Sequence, residues 1–218
     1  MNKKINTQKN KKMNIDKTKL ITTMSMIMLA TTINSVSAAT PYMSLKLGHN
    51  IVESAVMPDG GNQHTNNDIY GFVGGISGGM SFKYSDKMTI RTDLEYNYSQ
   101  AKNIRKHASE NKIKDSKVLV TGYIDYHDEE FGNFTPYVGF GLAYTTGTWK
   151  TDNTPEIGVE GYGAGISVGT AYAITENLST DLGLRWLTMS RRFNETFVGK
   201  GDLDTDETTM MAGIRYVF

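Results

Sequence analysis

Four histidines, His49, His64, His107 and His127, are the only side chains that ordinarily titrate near neutral pH, and the chain has no cysteine. Thiol catalysis, a cysteine-based zinc site and a disulfide scaffold are therefore excluded. A serine hydrolase needs a histidine within hydrogen-bond reach of a serine; His49 with Ser190 or Ser99 is the one combination to consider, and His127 reads as a solvated residue in a connection. Asp202, Asp204 and Asp206, followed by Glu207, have the first spacing of a calcium loop. They lack its glycine and its distant glutamate, so a solvated acidic loop is expected. Gly161-Tyr162-Gly163-Ala164-Gly165 precedes no helix and is no nucleotide fingerprint. No cofactor, no metal site and no enzymatic activity are expected.

What remains is charge. Between 101 and 115, Lys102, Arg105, Lys106, His107, Lys112 and Lys114 face only Glu110 and Asp115. Such a basic stretch either binds anionic groups, such as lipopolysaccharide phosphates or acidic host glycans, or simply keeps a loop soluble. Elsewhere, charges alternate with apolar residues and fall on the face that would be interior in a closed sheet: Lys46, Lys83, Arg91, Lys117, Arg185 and Arg215 against Asp93, Glu95, Asp125, Asp181 and Glu207.

The elements that carry these residues start after an address. The chain has 218 residues with 23 basic and 23 acidic side chains, but seven of the lysines and only Asp16 lie in residues 1–19. The rest is net acidic, with 16 basic against 22 acidic residues, which argues against a nucleic-acid partner. The basic start leads into LITTMSMIMLA at 20–30 and a small-residue exit, Val36-Ser37-Ala38-Ala39. That order is a cleaved secretory signal, and its apolar run is shorter than the ~20 residues of a spanning helix. Met13 offers a second start that leaves the shorter MNIDKTKL. Two segments are expected: a signal at 1–39 and a single domain at 40–218.

That domain alternates with period two, the pattern of strands with unlike faces. Eight strands are read, at 42–48, 70–84, 88–99, 116–127, 135–147, 161–173, 178–189 and 207–218. In the third, Met88, Ile90, Leu94, Tyr96 and Tyr98 share one face; Arg91, Asp93, Glu95, Asn97 and Ser99 share the other. The polar faces are rich in glycine, which packs nothing on a solvated strand but suits the crowded inside of a narrow barrel. The apolar faces end in aromatics. Tyr70, Phe72, Tyr96, Tyr98, Tyr144, Tyr162 and Trp186 fall toward one rim. Phe82, Tyr84, Tyr126, Tyr172, Tyr216 and Phe218 fall toward the other. Alternating segments of ~10 residues between two aromatic girdles are the signature of a transmembrane barrel. Alternation also explains a mean hydropathy of only −0.39. The connections alternate long and short, as outer loops and periplasmic turns do. The fold class is thus all-β: an eight-stranded antiparallel up-and-down transmembrane β-barrel. Eight strands leave room only for side chains inside, and buried ions must pair. Lys46, Arg91, Asp93, Glu95, Lys117, Asp125, Asp181, Arg185 and Arg215 are therefore expected to form an interior network that plugs the lumen.

The segments PYMSLKLG at 41–48, RTDLEYNYS at 91–99, FTPYVGFGLAY at 134–144 and AGIRYVF at 212–218 resemble the small outer-membrane barrels of Gram-negative bacteria, the OmpA transmembrane-domain and opacity-type surface antigens. The resemblance implies residence in the bacterial outer membrane among outer-membrane lipid and lipopolysaccharide. It also implies that Ile214, Tyr216 and Phe218 form the signal that recruits the barrel-assembly machinery. Its implied work is envelope structure and display of four extracellular loops for adhesion, with a host receptor or glycan as partner. A small pore is the alternative reading, and a lipid-modifying enzyme the lesser one.

Overall fold

The computed structural model describes residues 39–54, 69–102, 111–151, 156–193 and 202–218. Apart from Ala39, the expected signal at 1–39 lies outside the described residues. Eight strands run β1 Thr40–Ser54, β2 Ile69–Lys83, β3 Met88–Lys102, β4 Asn111–Tyr126, β5 Phe134–Thr151, β6 Ile157–Ala173, β7 Leu178–Phe193 and β8 Asp202–Val217. Each pairs antiparallel with the next, and β8 pairs back with β1, closing a barrel in the order β1 to β8. The barrel has no free edge, so every strand finds partners on both sides without help from solvent. Among the described residues no helix is long and apolar enough to cross a membrane.

The outward face carries Leu45, Leu47, Ile76, Leu94, Phe140, Leu142, Ile166, Leu182 and Leu184, all exposed. In water such a belt would be an aggregation site; in hydrocarbon it is the expected solvent-facing surface. The girdle residues Phe72, Tyr96, Tyr98, Tyr162 and Trp186 at one end, and Tyr84, Tyr126, Tyr172, Tyr216 and Phe218 at the other, are exposed as well. Phe82 departs from this pattern and is buried.

Most strands are longer than the alternation predicts, chiefly at the end away from the short turns. β1 reaches Ser54, β4 starts at Asn111, β7 reaches Phe193 and β8 starts at Asp202. A membrane crossing uses about 9–11 tilted residues, whereas these strands have 15 to 18. The surplus stands above the apolar belt as a collar. There the outward face meets water, and its pattern changes. Lys102, Lys112, Lys114, Lys150 and Asp206 point outward, while Val52, Ile69, Ala101, Ile113, Trp149 and Val159 pack together inside. Polarity therefore inverts along β1 to β6, while β7 and β8 keep Arg191 and Thr205 inside, and a reading tuned to one polarity stops where the contrast is lost. The acidic segment 202–206, expected as a loop, is part of β8 for the same reason. The connections at this end shrink accordingly: 152–156 is shorter than the opposite-end connection 127–133.

At the short-turn end, the β4–β5 connection is organised by one carboxylate. Asp128 caps the 3-10 turn Glu129–Phe131, accepting from the Glu130 N–H at 3.2 Å, and Gly132 closes it at φ 57°. Lys87 Nζ donates to Asp128 at 2.7 Å and the Tyr126 hydroxyl donates at 3.1 Å. The Lys87 hydrogen bond, the backbone amide and the tyrosine hold the Asp128 carboxyl at about 2, below its ordinary 3.8. A depressed acid stabilises the fold fully above its ordinary value and loses that contribution as pH falls through the depressed one. We expect the Asp128 carboxyl carbon resonance of the folded protein to titrate near pH 2, and Lys87→Gln to raise that midpoint. A wild-type midpoint near 4 would remove the capping role.

Candidate functional site

The lumen concentrates the charged residues, and the period of two explains why. Inward positions are the even residues of β1 and the odd residues of β2 to β8, so one register decision sends a whole set of side chains inside. Three tiers result.

Nearest the short turns, Arg91 makes a two-pronged pair with Asp125, at 2.5 Å through Nε and 2.9 Å through Nη2. Its guanidinium carbon lies 4.5 Å from the centre of the Tyr123 ring, 5.4 Å from Tyr137 and 5.7 Å from Tyr42. Beside it Arg215 holds Asp181 through both Nε and Nη2. In the middle, Glu95 takes both prongs of Arg185, at 2.6 and 3.0 Å, and also accepts from Lys46 and from Asn97. Lys46 reaches Asp93 as well, at 3.0 Å. At the far tier, Lys117 bridges Asp115 at 3.0 Å and Glu207 at 2.9 Å. Arg191 bridges the same two acids at 3.0 and 3.4 Å. Ser99 donates to Asp115, and Thr205 accepts from Arg191. Above the far tier lies the apolar layer of Val52, Ile69, Ala101, Ile113, Trp149 and Val159.

All nine residues expected inside point there, and the register joins them into pairs. Two members were missed. The alternation leaves Asp115 and Arg191 outside the expected strands, because outward Lys114 and Arg192 are polar too, which erases the contrast between faces. Lys83, expected on the interior face, is not there. It ends β2 in solvent at the short-turn mouth and pairs with Asp86 at 2.9 Å. The corrected interior set is balanced among the described residues: Lys46, Arg91, Lys117, Arg185, Arg191 and Arg215 against Asp93, Glu95, Asp115, Asp125, Asp181 and Glu207. The inward aromatics Tyr42, Tyr123 and Tyr137 and the apolar Leu119, Leu187 and Met189 were missed also. Nothing in an alternating strand marks an inward tyrosine or leucine as unusual.

Glycine makes room for these side chains. A Cβ at Gly79 would fall 2.7 Å from Tyr42, and one at Gly165 would fall 2.7 Å from Leu187 Cδ2. β6 is glycine at 161, 163, 165 and 169, a bare wall against which Arg191, Met189 and Leu187 of β7 lie. An interior cavity of about 30 Å³ is bounded by Lys46, Arg91, Tyr123, Tyr137, Ser167 and Asp181. That is room for about one or two waters.

The other candidates disperse. His49 points outward, 6.1 Å from the Tyr70 ring, while Ser99 points inward. Ser190 lies on β7, which β8 separates from β1. No serine–histidine pair forms from them. His127 accepts or donates at Thr89, 3.0 Å away, and at Thr135, 3.3 Å away, in a connection. His64 and His107 lie outside the described residues. In the basic stretch, Lys102 ends β3, Lys112 and Lys114 belong to β4, and Arg105 and Lys106 lie outside the described residues. Of the terminal triplet, Ile214, Tyr216 and Phe218 all face outward, and the Phe218 N–H donates to the Pro41 carbonyl at 3.0 Å.

The chain is similar to solved outer-membrane barrels. The crystal structure of Neisserial surface protein A aligns over 84% of this chain and 100% of its own, with 19% identity and a TM-score of 0.55. The outer membrane protein OprG of Pseudomonas aeruginosa aligns over 84% of this chain and 98% of its own, at 15% identity and a TM-score of 0.47. At that identity the first likeness establishes fold alone. No curated protein matches. Residues 20–218 match the family described as the outer membrane protein beta-barrel domain, and with most of the chain so covered the protein belongs to that family.

Proposed function

We propose that this protein is a non-conducting barrel of the bacterial outer membrane whose work is done by its outer collar and the four connections the collar carries, in adhesion or surface interaction and envelope structure. The observation that carries this reading is the lumen. Among the described residues, three tiers of mutually paired ions balance in charge, an apolar layer lies above them, and the cavity beside Arg91 and Asp181 is only about 30 Å³. A hydrated ion would have to part buried pairs to pass, and breaking such a pair costs roughly 3–5 kcal/mol. The strand extensions support the second half of the reading, since a barrel needing only to span would end at its girdle. Purified protein in planar bilayers should give no steady nanosiemens-scale conductance; such conductance would replace the reading with a small pore. Cells displaying the protein should lose binding to immobilised matrix proteins or glycans when 55–68 and 194–201 are removed. Unchanged binding would exclude those connections.

A further inference from the structure

An interior cavity of about 30 Å³ lies where the first tier of the lumen meets the second, and three cations border it: Lys46, Arg91 and Arg185. The carboxylates that pair with them, Asp93, Glu95 and Asp125, do not line it. The one acid in the wall is Asp181, and Arg215 holds both of its oxygens.

The wall is also rich in protons without acceptors. Lys46 has three donors and uses two of them, on Asp93 and Glu95. Arg91 uses Nε and Nη2 on Asp125, which leaves Nη1 without a protein partner among the described residues. Ser167 accepts from Arg185 Nε at 3.3 Å and Tyr123 accepts from Arg185 Nη2 at 3.5 Å, so each keeps its own hydroxyl proton. The hydroxyls of Ser44 and Tyr137 make no hydrogen bond among the described residues. Tyr137 reaches the bare wall of β6 and β7: a Cβ at Gly169 would fall 2.5 Å from its oxygen, and one at Gly183 would fall 2.4 Å away. Buried donors without acceptors are costly. A water accepts two such protons and brings two of its own. A small anion accepts from every side and brings none. The cavity has room for about one or two water-sized particles; a halide is of that size, whereas sulfate and phosphate are not.

We propose that this cavity binds one small monovalent anion of halide size, held by Lys46, Arg91 and Arg185 and by the hydroxyls of Ser44 and Tyr137. The interior charges of the described residues already balance, so the hold comes from these donors and from the nearness of three cations, not from net charge. The low dielectric inside the barrel strengthens each such bond. The anion ties together β1, β3, β5 and β7, strands that do not pair with one another, and so tightens the plug.

The test is the thermal midpoint of the micelle-folded protein as sodium gluconate is exchanged for sodium chloride or bromide at constant ionic strength. The midpoint should rise saturably with either halide. Ser44→Ala and Tyr137→Phe each remove one charge-assisted bond and leave every ion pair standing. Each should weaken halide binding roughly tenfold, about 1.4 kcal/mol. A general salt effect on burial would not saturate and would ignore both variants. A crystal of the wild-type protein grown with bromide should show an anomalous scattering peak in the cavity, within hydrogen-bond reach of Arg91 and Tyr137. No saturable halide effect on the wild type, or a bromide crystal without that peak, makes the cavity a water site and overturns the proposal. So does a halide effect of full strength in both variants, which places the ion elsewhere. Should either variant not fold, the bromide peak in the wild type decides.

Discussion

Arg91→Ala should lower the unfolding free energy of the barrel by about 3–5 kcal/mol, the cost of leaving a buried charge without its partner. Arg91 is 5% exposed and its partner Asp125 is 3% exposed, so bulk water solvates neither. Among the described residues Asp125 pairs with no second cation, unlike Glu95, which Lys46 would still hold if Arg185 were lost. The guanidinium also lies within 4.5 to 5.7 Å of three tyrosine ring centres, contacts that truncation removes with the charge. The loss therefore cannot be made good by a neighbour, which is why this site should exceed most others in effect. Replacing both partners, Arg91→Met with Asp125→Leu, removes the orphaned ion and should recover much of the stability, since a buried pair is often no better than a well-packed apolar one. Reversible urea unfolding of the micelle- or vesicle-folded protein measures both. A single-variant loss below ~1 kcal/mol, or a double variant worse than the single one, would show that the tier is not a paired network.

Deleting Phe218 should act in a different way, through assembly. Its ring is 63% exposed on the outward face and touches Tyr216, 5.3 Å away between ring centres in an edge-on arrangement. Its amide closes one bond to the Pro41 carbonyl, while register pairs from Tyr42↔Val217 to Ser54↔Thr205 hold the β1–β8 seam. Removing it costs at most one net hydrogen bond, about 1 kcal/mol, and a ring worth ~2–3 kcal/mol if fully buried. A seam of that length should survive. The terminal alternation Ile214, Tyr216, Phe218 is nevertheless displayed on the lipid side, where an assembly factor could read it before closure. We expect the deletion variant to vanish from the outer membrane of cells, by periplasmic accumulation or degradation, yet to fold in detergent micelles. Normal surface levels in cells would end the signal interpretation, and failure to fold in micelles would shift the role of Phe218 to stability.

Much of this molecule was legible from order alone. Period two between residues 42 and 218 dictates strands, and the glycines and charges on one face against leucines and aromatics on the other dictate which face meets lipid. Those are local properties, because a strand's side chains alternate whatever it pairs with. Arg91, Asp93 and Glu95 could therefore be sent inside before any partner was known. Which acid meets which base was not legible. Lys117 finds Glu207 ninety positions away, and Arg185 finds Glu95 across the same separation; those meetings depend on closure of β8 onto β1 and on the register at every seam. The collar was hidden for another reason. Where the strands leave the bilayer, the solvent on the outward face changes from hydrocarbon to water, so polarity no longer labels the faces, and Asp115, Arg191 and the inner layer around Trp149 read as loop. The donor-lined cavity is a tertiary fact in the same sense: Ser44, Arg91, Tyr137 and Arg185 are scattered in sequence, and only closure of the barrel sets them around one space.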